Sequence, residues 1–227
     1  MHTGTTVRSA ARRASAAPAA APVAWVLPLL LVCSSVCEAG AGPFGIDHEW
    51  NYDNGGIWNR RYQNALVYGL IGGEVVGALW EGGETRFGRT LWRSVDASAG
   101  AGLIALGLKY AFSRVRPIDS HDDPNLWFKG HGNQSFPSGE VTAVSAIVTP
   151  VVLEYGHDHL TACALELLPV YDALARMKVQ AHWQSDVIAG FALGTGIGWW
   201  VHRNPHPFVL SVMPHGIYVG IGTHLGR

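Results

Sequence analysis

From Arg60 to Val201 the apolar residues recur with helical spacing, in long segments punctuated by Gly and Pro, and period-two alternation is nearly absent. Arg60 to Trp80 carries Leu66, Leu70, Val76 and Leu79 among Gly and Ala, and Glu81–Gly82–Gly83–Glu84 stops it. Thr85 to Ser94 is amphipathic and basic; Val95 to Val115 reads as a second long helix that Pro117 ends. Ser138 to Tyr155 follows, with a kink or an end expected near Pro150, then Leu160 to Met177 with Pro169 inside, then His182 to Val201, closing before Asn204–Pro205. Such a chain is expected to be all-α, a helical bundle of about five core helices. Phe208 to Val212 and Ile217 to Ile221, on either side of Met213–Pro214–His215–Gly216, add the expectation of a short C-terminal β-hairpin.

The pattern divides the chain. Arg8, Arg12 and Arg13, the apolar run Val23 to Val36 and Ala39–Gly40–Ala41 have the order of an export signal over residues 1–41, with a retained N-terminal anchor as the rival reading. Residues 42–59 form an irregular lead-in, 60–203 the helical domain and 204–227 a C-terminal tail. Cys33 and Cys37 lie in the leader, so cleavage leaves Cys163 and no internal disulfide. An exported location, periplasmic or facing the periplasm at the inner membrane, is therefore expected.

Composition narrows the partners. A net charge of -1 argues against nucleic acid. With 48% hydrophobic and 15% charged residues, both a membrane protein and a buried bundle fit. A membrane span needs about 20 mostly apolar residues; Leu66 to Trp80, Val141 to Tyr155 and Val187 to Val201 fall short, and Glu74, Glu166 and Asp172 interrupt the apolar segments. The balance leans to a bundle at the periplasmic side, while five segments plus the leader would also make a six-span protein. The oligomeric state is left open.

Chemistry concentrates in three stretches. In Ala175 to Asp186, His182 and Asp186 are four apart, so on a helix they share a face and the carboxylate can orient the imidazole, while Arg176 offers a planar fork to an anion. Lys109 and Arg116 are seven apart, about two helical turns. Phe136–Pro137–Ser138–Gly139–Glu140 opens a helix, with Ser138 as a good N-cap, Gly139 permitting close approach and free amides suited to an anion. Taken singly, each stretch also reads as a basic helix end, an ordinary cap or a structural His–Asp pair. The histidines at 157, 159, 202, 206, 215 and 224 lack metal-site spacing, and no metal or cofactor is expected.

In order, K-x6-R-P, then P-S-G-x, then R-x5-H-x3-D resembles the three-part signature of the type 2 phosphatidic acid phosphatase superfamily, which also holds bacterial acid phosphatases and vanadium haloperoxidases. The resemblance implies that Lys109, Arg116 and Arg176 bind phosphoryl oxygens, with Ser138 and the Gly139 amide completing the cradle. It implies that His182 attacks phosphorus to form a phosphohistidine and that Asp186 orients and stabilises His182. It further implies a phosphatase acting on a phosphomonoester or diphosphate, for which a membrane lipid phosphate and a membrane surface are the expected partners. The family pattern departs at Glu140, where a His would protonate the leaving group, and at Ala175, where a Ser is usual. Glu140 as the acid, His131 as its substitute, or a leaving group that needs no strong acid are the three readings. A binding protein with weakened turnover and a vanadate-dependent oxidative enzyme are the rival functions.

Overall fold

A computed structural model describes residues 41–204 and the short segments 211–213 and 216–218. The expected leader falls outside the described residues except for Ala41. The helices run α1 (Arg60–Glu81), α2 (Arg86–Phe112), α3 (Pro117–Ser120), α4 (Gly139–Tyr155), α5 (Leu160–Cys163), α6 (Leu167–Lys178) and α7 (Gln184–Arg203). Five of them, α1, α2, α4, α6 and α7, have 12 residues or more and build the all-α bundle. Ser211–Met213 pairs antiparallel with Gly216–Tyr218, with Val212 opposite Ile217, within the expected C-terminal hairpin, whose remaining positions lie outside the described residues. No helix among the described residues is long and apolar enough to cross a membrane.

Local signals explain most boundaries. Asn59 caps α1 by accepting from the Arg61 amide, and Thr85 caps α2 by accepting from the Gly88 amide. Two expectations are corrected in the α2 region. The segments 85–94 and 95–115 are one helix, because Ala97, Ala101 and Ala105 bury one continuous face and nothing between them breaks the backbone. That helix ends at Phe112, well before Pro117: Ser113 turns left-handed (φ 40°), and the strip after it pairs with the loop, Val115 N–H donating to the Leu126 carbonyl and Lys129 N–H to that of Ser113. Leu160 to Met177 likewise divides into α5, a 3₁₀ turn (Ala164–Glu166) and α6, with Pro169 in the first turn of α6, where a missing N–H costs little.

The core centres on α4. Val141 packs with Val170, Ala173 and Met177 of α6 and with Val187 and Phe191 of α7; each large apolar side chain buried there contributes about 1.5–3 kcal/mol. The α4–α7 crossing is set by Gly190, Gly194 and Gly198, one per turn of α7. A Cβ on Gly194 would lie 2.2 Å from the Thr142 carbonyl oxygen, and one on Gly190 2.6 Å from that of Ser138. Backbone-to-backbone approach at this seam brings the start of α7 against the start of α4. The C-termini of α2 and α6 and the N-termini of α1, α4 and α7 thus meet at one end of the bundle, with Lys109, Arg176, Arg60, Glu140 and Asp186 on them. At the other end Glu154 pairs with Arg86 at 2.7 Å and Arg93 at 2.9 Å.

Candidate active site

His182 is not inside a helix, as the sequence suggested. Gln180 adopts a left-handed conformation (φ 51°), Trp183 caps α7, and His182 sits on the connection ahead of it. Its partner also differs from expectation. His182 Nδ1 lies 2.7 Å from the Ser135 carbonyl oxygen, whereas Asp186 Oδ2 is 3.8 Å away, beyond hydrogen-bond reach. A carbonyl can only accept, so Nδ1 carries the proton and Nε2 the lone pair. Burial, followed by the nearby charges of Arg176, Lys109 and Arg116, holds the imidazole well below its ordinary pKa, so it is neutral at neutral pH.

Asp186 acts one layer behind. In the first turn of α7 its Oδ2 accepts from the Trp183 amide at 2.9 Å and from the Ser135 hydroxyl at 2.5 Å. The same Ser135 offers its carbonyl to His182, so Asp186 fixes the imidazole through Ser135 and keeps a negative charge close by. The Ser138 amide donates to the Asp186 carbonyl at 3.0 Å, joining α4 to α7.

Beneath this lies a buried cation that sequence reasoning missed. Arg114 is fully buried; it donates to Asp186 Oδ1 at 2.6 Å, to Asp47 Oδ2 at 2.6 Å, to Ser185 Oγ at 2.8 Å and to the Pro124 carbonyl at 2.7 Å. Its guanidinium stacks 4.2 Å from the Trp127 ring centre. Asp47 also accepts from the Ser185 amide at 2.8 Å. The lead-in is therefore bound into the site, with Gln184 Nε2 donating to the His48 carbonyl at 2.9 Å and the Asp53 amide to that of Lys178 at 2.8 Å. The one available signal was the pair Arg114 and Arg116 on alternate positions of a strip that is extended rather than helical.

The cradle is cationic. Lys109, in the last turn of α2, donates to the Gln134 carbonyl at 2.7 Å, and a Cβ on Gly139 would sit 3.3 Å from its Cε, so glycine is what lets the ammonium lie over the start of α4. Burial, then Arg116 and Arg176, lowers Lys109 to about 8. Arg116 is separated from Lys109 by the Ser113 reversal and caps α3; the two do not share a helix face, yet both act electrostatically on His182. Arg176 is buried; its Nε has no hydrogen-bond partner, and burial lowers it only to about 10, leaving it a cation. Ser138 Oγ is also buried without a partner. Two orphaned donors, the first amides of α4 and three cations around one neutral imidazole suit a tetrahedral oxyanion.

Glu140 stands in the first turn of α4 within an ion-pair network. Both its oxygens are held by Arg60, Oε2 accepting from Nη1 at 2.6 Å and Oε1 from Nη2, and Arg176 Nε lies 3.8 Å from Oε2. Gln63 Oε1 bridges the two guanidiniums, accepting from Arg60 at 3.1 Å and Arg176 at 3.3 Å. Burial raises the Glu140 carboxyl, but the Arg60 hydrogen bonds and the Arg176 charge outweigh it and hold the group below the ordinary glutamate range. His131 stands apart, edge-on to Tyr110 with ring centres 6.1 Å apart.

The family model described as PAP2 superfamily matches residues 91–209. Lipid A 1-phosphatase of Rhizobium etli is 39% identical over 105 residues, 44% of this chain and 42% of that protein. Lipid A 1-phosphatase of Rhizobium johnstonii is 39% identical over 100 residues, 41% and 39% of the two chains. The aligned stretch thus spans about two fifths of the curated relatives it matches. No solved structure matches.

Proposed function

Because the chain belongs to the PAP2 (type 2 phosphatidic acid phosphatase) superfamily, we propose that it hydrolyses a phosphomonoester or diphosphate of a membrane lipid through a phosphohistidine on His182. The observation that carries this reading is the His182 Nδ1–H donating to the Ser135 carbonyl at 2.7 Å, which leaves Nε2 as the nucleophile amid Lys109, Arg116 and Arg176. Lys109, Arg116, Arg176, Ser138 Oγ and the Gly139 amide hold the phosphoryl oxygens in line with Nε2. Positioning and positive charge are most of what phosphoryl transfer asks of a protein. As the N–P bond forms the imidazole becomes cationic, and Asp186, 3.8 Å from Nδ1, stabilises that charge. Water then attacks phosphorus and frees inorganic phosphate. The protein itself supplies the charge that the phosphoryl group needs.

A lipid substrate at a membrane surface is supported by the outer faces of α1, α2 and α7. From Ala65 to Trp80 the exposed face of α1 carries no charged residue, and Glu74 turns inward to Ser98 at 2.7 Å. From Ala99 to Ala111 on α2 and from Ala192 to Trp200 on α7 the exposed residues are likewise uncharged. Leu103 is 70% exposed and Trp80 87%; such a face is costly in water and favourable against acyl chains. The export-signal pattern expected over residues 1–41 supports the periplasmic side. The curated relatives' names extend the substrate panel to lipid A bearing a 1-phosphate.

Phosphate release from lipid A, phosphatidate, phosphatidylglycerol phosphate, a prenyl diphosphate and soluble esters tests the reading, comparing wild type with His182→Ala. Release from at least one lipid, abolished by the substitution, is expected. The Glu140–Arg60 pair favours a second reading, a phosphate-binding protein with weakened turnover; binding of phosphate or vanadate with no release from any substrate would establish it instead.

A further inference from the structure

Two buried groups of opposite chemistry stand one turn apart on α6 without pairing. Asp172 is fully buried, and neither of its oxygens has a hydrogen-bond donor among the described residues. Arg176, four residues on and on the same face, is also buried, and its Nε makes no hydrogen bond there. A carboxyl removed from water and offered no donor keeps its proton, because the ionised form would be stranded. Its charged neighbours come from three helices: Arg60 on α1, Glu140 on α4 and Arg176 on α6. Tyr171 beside it gives its hydroxyl to the Ile57 carbonyl, α7 meets α6 through the uncharged Val187 and Phe191, and Glu166 ahead of α6 is shifted by burial alone. Arg60 holds both Glu140 oxygens, so that carboxylate keeps its charge, and Arg176 Nε faces it at 3.8 Å. Burial first and Glu140 second push Asp172 up to about 7, against the pull of Arg176 and Arg60.

We propose that Asp172 is a positioning residue of the phosphoryl site: carrying a proton, it leaves Arg176 free for a phosphoryl dianion, and without that proton it draws the Arg176 charge onto itself and weakens the site. This rests on the reading of Arg176 as a phosphoryl ligand above. An ionised Asp172 one turn from Arg176 cancels part of the attraction that the guanidinium has for a dianion and adds a negative charge behind it. The converse holds by linkage: a dianion held by Arg176 disfavours the ionised form of Asp172, so binding near pH 7 takes up a proton from solvent. Affinity is therefore greatest with Asp172 protonated and falls as pH rises through about 7. Lys109, at about 8, adds a later fall of the same sign.

Calorimetry of the full chain with tungstate, a tetrahedral dianion throughout the range used, tests this. A neighbouring charge moves a carboxyl by about 1–3 pKa units, so the dissociation constant of wild type should rise about fivefold or more from about pH 6 to about pH 8. Binding at neutral pH, measured in two buffers of different ionisation enthalpy, should take up about 0.4 proton. Asp172→Asn keeps the shape and the neutral state; at about pH 8 it should bind within about twofold of wild type at about pH 6, take up almost no proton, and keep only the later fall that Lys109 brings. Glu140→Gln removes the neighbouring negative charge and should move the step to lower pH. A purely structural Asp172 would change affinity by one factor at every pH and leave the profile and the proton count as in wild type. The wild-type proton count decides even if the Asn variant does not fold. A wild-type change under about twofold with no proton taken up, or a step unmoved in Asp172→Asn, overturns the inference while the phosphatase reading stands. No tungstate binding at any pH overturns both.

Discussion

Replacing Arg114 by Met tests whether the layer behind His182 is held by charge. Arg114 is fully buried between two buried carboxylates, at 2.6 Å from Asp47 and 2.6 Å from Asp186. Met retains much of the packing against Trp127 but strands both charges in a site closed to water. Removing one partner of a buried ion pair costs about 3–5 kcal/mol, and two carboxylates share this cation, so the upper half of that range is expected. At roughly 2–4 °C per kcal/mol for a domain of this size, the melting temperature should fall by roughly 8–20 °C. Urea titration at low salt gives the free energy. The sign with pH is diagnostic: without the guanidinium, burial raises both carboxyls, so the folded state binds protons that the unfolded state releases. The deficit should therefore shrink at pH 5 and deepen at pH 8. Adding Asp47→Asn to the Met variant should recover part of the loss, whereas Asp47→Asn alone destabilises. A loss under about 1 kcal/mol, or strict additivity of the two substitutions, would refute the reasoning.

The remaining expectations concern packing and titration. Gly194→Ala should cost about 3 kcal/mol or more, since its Cβ would meet the Thr142 carbonyl at 2.2 Å, while Gly196→Ala, with nothing within 4 Å, should be neutral or stabilising by up to about 1 kcal/mol; paired urea melts decide it. Glu166 is buried with neither oxygen hydrogen-bonded, and burial raises it to about 7. It favours the fold below its unfolded value near 4.5, and that contribution is lost as pH rises towards 7; Glu166→Gln should thus stabilise by about 2–3 kcal/mol at pH 8 and by little at pH 4.5. Lys109 sits at about 8, so phosphate affinity of the wild type, measured by calorimetry, should weaken as pH rises past 8 and lose that dependence in Lys109→Met.

Much of this architecture was legible because helical periodicity is a local property. The α1 boundaries and the span of α4 follow from caps and apolar spacing, and the ordered motifs placed Lys109, Ser138, Arg176 and His182 near one another, whereas the kink or end expected near Pro150 is not there: α4 runs on to Tyr155. What escaped depends on partners distant in sequence. Ser113 ends α2 because the strip after it pairs with residues 126–129, which no propensity at Ser113 announces. His182 leaves the helix because its imidazole finds the Ser135 carbonyl, 47 residues away. Arg114 and Asp47 were passed over, one beside a more familiar arginine and the other in a stretch without periodicity. Arg60 looked like an ordinary helix start until α1 brought it to Glu140.

The central claim is a covalent phosphoryl group on His182. Rapid mixing of wild type with a substrate found in the release panel, quenched in base and digested, should show by mass spectrometry an acid-labile phosphoryl adduct on the peptide carrying His182. Its formation should be at least as fast as steady-state turnover, and the adduct should be absent in His182→Ala. Undiminished phosphate release by His182→Ala, or an adduct on another residue, would contradict the account.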